Sequence, residues 1–159
     1  MSRVVQAALV VAVVGLGHAP RAAAEPYRWP VQPGPPVTAY YDHGGLKDWR
    51  CQGNTYSGHR GTDIGCARNT QIYAGAAGWV KDRADGYGDG YLGSTDGGGF
   101  GNHVAIFHGA GDETIYGHMT AGTGLPALGT NLGCAAPIGR SGASGNVTGR
   151  TSTSRPAST

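Results

Sequence analysis

The sequence predicts a mainly β protein, with antiparallel sheets of short strands joined by long glycine-rich loops. Two observations carry this expectation. Beyond residue 24 no segment sustains the 3.6-residue apolar period of a helix. Short runs of β-branched and aromatic residues are instead cut at close intervals by glycine, which supplies 30 of the 159 residues.

The elements follow in order. Residues 25–36, EPYRWPVQPGPP, are proline-rich and forbid a helix. Val37–Tyr41 reads as a first strand, and Gln71–Ala74 and Gly78–Arg83 as two more. Residues 85–101 form a long glycine-rich loop. NHVAIFHG, residues 102–109, alternates as a half-buried strand, and TIYGHMT, residues 114–120, is its partner. Ala110-Gly111-Asp112-Glu113 then serves as the hairpin connection. APIGRSG, residues 136–142, closes the set as a short strand and turn. There is no internal repeat.

The first 24 residues stand apart from this pattern. A basic start through Arg3, an apolar run from Val4 to Gly17 and the small residues Ala22-Ala23-Ala24 have the layout of a secretory signal peptide. The apolar run is too short and too lightly flanked for a membrane span. The expected mature chain starts at Glu25, lies outside the cell and, once the leader is cleaved, has no membrane association. Without Arg3 and Arg21, ten basic side chains face ten acidic ones. That balance excludes the basic field of a nucleic-acid binder and the lysine-rich helix of a membrane-surface protein.

Three cysteines bear on the same compartment. Cys51 and Cys66 are candidates for a disulfide, which would close a 15-residue loop and stabilise it by about 3 kcal/mol if unstrained. Cys134 is left without an evident partner.

Five histidines follow the leader: His43, His59, His103, His108 and His118. In YSGHRGTDIGC, His59 and Asp63 are four apart among glycines that let a loop turn both side chains toward one point. Imidazole and carboxylate are ordinary zinc ligands, but the pair alone is a weak signal, and a surface histidine beside a turn aspartate reads the same. On a strand, His118 shares a face with Tyr116, whereas His103 and His108 point to opposite faces. His103 and His43 read most simply as satisfied core or surface side chains.

Taken together, GHRGTDIG, IYAGAAGWV, GFGNHVAIFHGAGDETIYGHM and APIGRSGASGNVTG resemble the lysostaphin/LytM-type zinc metallopeptidases, in order and spacing, across residues 37–149. The resemblance implies an antiparallel β scaffold with a narrow groove, a Zn²⁺ cofactor and cleavage of peptide stems or cross-bridges in bacterial peptidoglycan. It implies His59 and Asp63 as zinc ligands and His118 as the residue that stabilises the oxyanion or moves a proton. Tyr116 becomes a supporting residue and His108 a structural one. Secretion or attachment at the cell wall fits this reading. A zinc site of this kind acidifies water toward a pKa of about 7 and polarises the scissile carbonyl.

One family element is missing. After the Ser/Thr-Gly turn the family carries Gly-Pro-His-Leu-His-Phe, whose second histidine is the third ligand. Here residues 150–159 read RTSTSRPAST, and no histidine follows His118. Written in GC-rich codons, Gly-Pro-His-Leu-His-Phe-Glu-Ala is GGC CCG CAC CTC CAC TTC GAG GCC. Deleting one C at the Gly/Pro junction yields Gly-Arg-Thr-Ser-Thr-Ser-Arg and then Pro, the sequence of Gly149 to Pro156. The expectation is therefore a frameshifted, non-family tail, a weak zinc site and impaired hydrolysis. The competing readings are a disordered tail or interdomain linker, and a non-catalytic peptidoglycan-binding or regulatory module.

Overall fold

A computed structural model describes residues 27–42, 44, 53, 55–109 and 111–147. The signal-like leader, His43, Cys51 and the 150–159 tail lie outside the described residues. Among the described residues, eight strands and one short 3-10 turn make up the regular structure: β1 (Val37–Ala39), β2 (Asp63–Ile64), β3 (Gln71–Tyr73), β4 (Gly78–Ala84), the turn Asp96–Gly99, β5 (Asn102–Gly109), β6 (Asp112–Met119), β7 (Asn131–Leu132) and β8 (Pro137–Arg140). All pairings are antiparallel. A four-stranded sheet has the order β6-β5-β4-β7, while β3 pairs with β8 and β1 with β2. The mainly β, antiparallel fold is the one the sequence predicts.

One core joins the first two sheets. Val80, Val104, Ile106 and Met119 from the four-stranded sheet pack with Ile72 and Ile138 of the β3–β8 pair and with Leu125. β5 departs from the half-buried expectation. Residues 102–106 are buried on both faces, and only 107–109 show the partial burial of a one-sided strand. The reason is the loop over its first half, where Phe100 meets the His103 ring edge-on. His103 is thus a satisfied core histidine, with Nδ1 3.0 Å from the Gly101 carbonyl and Nε2 3.5 Å from Asp82. The β5–β6 connection is tighter than expected. Gly109 pairs with Asp112, so Asp112 and Glu113 belong to the strand and not to the connection.

Two close approaches explain glycines in IYAGAAGWV. A Cβ on Gly78 would stand 2.5 Å from the Phe107 carbonyl oxygen and 2.9 Å from His108 Nδ1. A Cβ on Gly75 would stand 3.1 Å from the Tyr116 hydroxyl. Both glycines let β5 and β6 side chains lie against the β3–β4 connection.

Candidate functional site

The motif loop is fixed from outside by β1 and the residues after it. Asp42 accepts hydrogen bonds from the Gly58 and Gly44 amides at 2.9 Å each, and its own amide donates to the His59 carbonyl at 2.9 Å. His59 closes a tight turn on the Tyr56 carbonyl, with Gly58 at φ 74°. β2 then carries Asp63 opposite Ala39, and Thr38 donates its hydroxyl proton to the Asp63 carbonyl.

The result brings His59 and Asp63 together. His59 is buried, and its Nδ1 lies 2.8 Å from the Tyr40 carbonyl. A carbonyl can only accept, so the ring proton sits on Nδ1, and in the neutral ring Nε2 keeps its lone pair. That Nε2 is 3.0 Å from Asp63 Oδ1, whose side chain is 43% exposed. Two acceptors this close need a proton or a cation between them. Two tetrahedral zinc bonds of about 2.0–2.1 Å span roughly 3.3–3.4 Å, so the pair needs to open by only a few tenths of an ångström to take two neighbouring positions of a zinc shell. Among the described residues no group of three or more His, Cys, Asp and Glu side chains is arranged to hold a metal. The fit is that of two ligands and no more.

Tyr56 belongs to the same corner, although the sequence reading passed over it. Its ring stacks on the His59 imidazole, with centroids 4.2 Å apart and planes 20° from parallel. Burial, and then the charge and hydrogen bond of Asp63, raise its phenol above the ordinary tyrosine pKa. An aromatic three residues before the histidine was the available signal.

His118 stands on the other side of the groove, at an irregularity in β6. Val104 pairs with Tyr116 and Asn102 with Met119, so β6 spends one more residue than β5 over this step. That bulge holds His118 at φ 57°, in the left-handed region that non-glycine residues seldom occupy. Backbone contacts hold the conformation: the His118 amide donates to Phe100 O at 2.7 Å, and its carbonyl accepts from Gly142 N at 2.9 Å. His118 Nδ1 lies 2.7 Å from the Ser144 carbonyl, which again places the ring proton on Nδ1 and leaves Nε2 for chemistry. Ser144 is itself locked, accepting from the Asn102 amide and donating to the Met119 carbonyl.

These corners face one groove of about 750 Å³, whose lining includes Asp63, Tyr56, Tyr116, His118, Asn146 and Tyr27. Tyr116 reaches it with its hydroxyl accepting from Gly75 N at 2.7 Å. His108 sits behind Tyr116, bonded to Thr114 and to the Ala77 carbonyl. Cys66 also lines the groove. Cys66 and Cys134 are free thiols among the described residues, and the candidate partner of Cys66, Cys51, lies outside them.

A family model described as Peptidase family M23 matches residues 57–153. No curated protein sequence matches the chain. Among solved structures, the chain is similar to a peptidase M23 protein from Pseudomonas aeruginosa, with TM-score 0.53 and 23% identity, over 78% of this chain and 41% of that one. It is also similar to a zinc-containing peptidase from Vibrio cholerae, with TM-score 0.56 and 20% identity, over 79% of this chain and 35% of that one. The chain thus spans less than half the length of either, and at these identities the likeness is one of fold.

Proposed function

The chain belongs to peptidase family M23, and on that premise we propose that it is an exported, zinc-dependent endopeptidase of the peptidoglycan-cleaving kind, with hydrolysis impaired by the sequence that stands at residues 150–159. The observation that carries the reading is the His59–Asp63 pair, 3.0 Å apart, whose Asp63 lines the same groove as His118 while His59 lies buried behind it. An extended peptide is the ligand class that suits such a groove. The leader-like first 24 residues support export, and the family supports a peptide substrate in the cell wall.

His59 and Asp63 would hold the zinc, which when bound supplies Lewis acidity toward water and the scissile carbonyl. His118 has its own role. With Nδ1–H committed to Ser144 O, its Nε2 can take a proton and, once protonated, donate a hydrogen bond to the carbonyl oxygen as negative charge develops there, a contribution of a few kcal/mol in comparable sites. What supports impairment is the sequence at the position of the expected His-x-His: residues 150–159 read RTSTSRPAST there, so the pair His59 and Asp63 stands without the histidine that the resemblance places at that point.

The test is turnover of purified peptidoglycan by the chain from Glu25 onward, with zinc, beside a His59→Ala control. Equal, near-background rates are expected, and zinc-dependent cleavage above the control overturns the impairment. Reading the nucleotide sequence past the Gly149 codon checks its origin, since a one-base insertion should restore Pro-His-Leu-His-Phe. An intact groove beside an incomplete ligand set also favours a second reading, a non-catalytic wall-binding module. Peptidoglycan pull-down with metal chelated separates the two, because retained binding supports the module.

A further inference from the structure

A line of four hydrogen bonds runs behind the groove wall, away from the metal-ligand pair. Gly75 N lies 2.7 Å from the Tyr116 hydroxyl, which lies 3.1 Å from the Thr114 hydroxyl. The Thr114 hydroxyl lies 2.8 Å from His108 Nε2, and His108 Nδ1 lies 2.7 Å from the Ala77 carbonyl. Both ends of this line are fixed. The Gly75 amide can only donate and the Ala77 carbonyl can only accept, so His108 carries a proton on Nδ1 in either charge state.

Each hydroxyl between them has one proton, and only two arrangements then satisfy every contact. With His108 neutral, Nε2 accepts from Thr114, so Thr114 must accept from Tyr116, and the phenolic proton lies along the wall. Tyr116 then offers the groove a lone pair. With His108 protonated, Nε2–H donates to Thr114, and Thr114 donates to Tyr116. The Tyr116 oxygen is now filled by Thr114 and Gly75, and its own proton turns outward. The groove meets a donor instead of an acceptor.

We propose that His108 is a positioning residue that sets, through Thr114, whether Tyr116 presents an acceptor or a donor to a peptide in the groove. An acceptor there suits a backbone N–H, and a donor suits a carbonyl or carboxylate. The relay is independent of whether the chain cleaves anything.

The titratable and charged groups around His108 are few. Tyr27, from the N-terminal segment, meets its ring edge-on at 5.2 Å between centroids, and Asp112 acts on Tyr27. Glu113, next to Thr114 on β6, is paired with Lys81 of β4. His118, two residues beyond Tyr116, is the other titrating side chain that could move a Tyr116 signal.

The test is NMR of the isotope-labelled full chain across pH, following the His108 ring nitrogens and the Tyr116 Cζ. The Tyr116 signal should move with the midpoint of His108. In Thr114→Val, His108 should still titrate while Tyr116 no longer follows it, and Thr114→Ser should restore the coupling. His108→Gln keeps His118 in place and should leave Tyr116 without the transition, which gives a second route should Thr114→Val not fold. A Tyr116 signal that ignores His108 in the unsubstituted chain, or still follows it in Thr114→Val, overturns the proposal. So does a transition that survives in His108→Gln without following the His118 ring nitrogens.

Discussion

The two sides of the groove are built differently. His118 sits where the longest hairpin meets the core: Asn102 and Met119 behind it are fully buried, and three backbone partners fix its amide, its carbonyl and its ring. His59 and Asp63 sit on a tight turn and a two-residue strand, held by the Asp42 carboxylate, the Tyr40 carbonyl and the Tyr56 ring. The first side owes its geometry to packing that the whole domain shares. The second owes it to a handful of polar contacts. Damage should therefore spread from the first side into stability and stay local on the second.

Asn102→Ala should have the largest effect. Its fully buried side-chain amide satisfies the Tyr87 N–H and C=O in part-buried contacts and also donates to the buried Met119 carbonyl. Truncation strips the Tyr87 N–H and C=O of their partner and leaves the Met119 carbonyl with Ser144 alone, at about 2 kcal/mol in total. A urea titration reads this as a lower midpoint with little change in slope. An unchanged midpoint would show that the His118 side is not tied to the core as described.

Asp42→Ala tests the other side. It removes the two bonds to Gly58 and Gly44, worth about 1 kcal/mol together at a part-exposed position. Global stability should hardly move, while amide exchange at Gly58 should accelerate and zinc affinity should fall. Equal losses in global and local protection would erase the contrast between the two sides.

The sequence shows the first side better than the second, for physical reasons. The β5 and β6 strands are long enough for β-branched and aromatic patterning to be read, and Ile72, Val80 and Ile138 fall in runs that the same rule finds. β2 and β7 have two residues each and leave no period. Simple alternation puts Tyr116 and His118 on one strand face, but β6 bulges between them, and the glycine inside YGHM is the trace of that bulge. Asp42 and the Tyr40 carbonyl act across 16 and 19 residues of chain, so local patterning does not announce them. Two neighbouring acceptors could be guessed from His-x-x-x-Asp, but the Tyr56 ring stacked on His59 could not.

The smallest effect is the most specific to the His59–Asp63 side. The Tyr56 phenol is raised first by burial, then by the charge and hydrogen bond of Asp63. A raised folded-state pKa means the native state holds its proton longer than the unfolded chain. The associated stability is present below the unfolded value near 10 and is lost as pH climbs through the higher folded value. Asp63→Asn should bring the Tyr56 titration down only part of the way, because burial remains. Tyr56→Phe should remove that alkaline transition without disturbing the His59 turn. Ultraviolet titration of the phenolate reads both. If Asp63→Asn leaves the Tyr56 midpoint where it was, the tyrosine does not share the field of the His59–Asp63 pair, and the polar corner is looser than its contacts imply. If the midpoint falls, zinc added to the unsubstituted chain should act in the same direction, because a cation on Asp63 offsets the charge that Tyr56 feels.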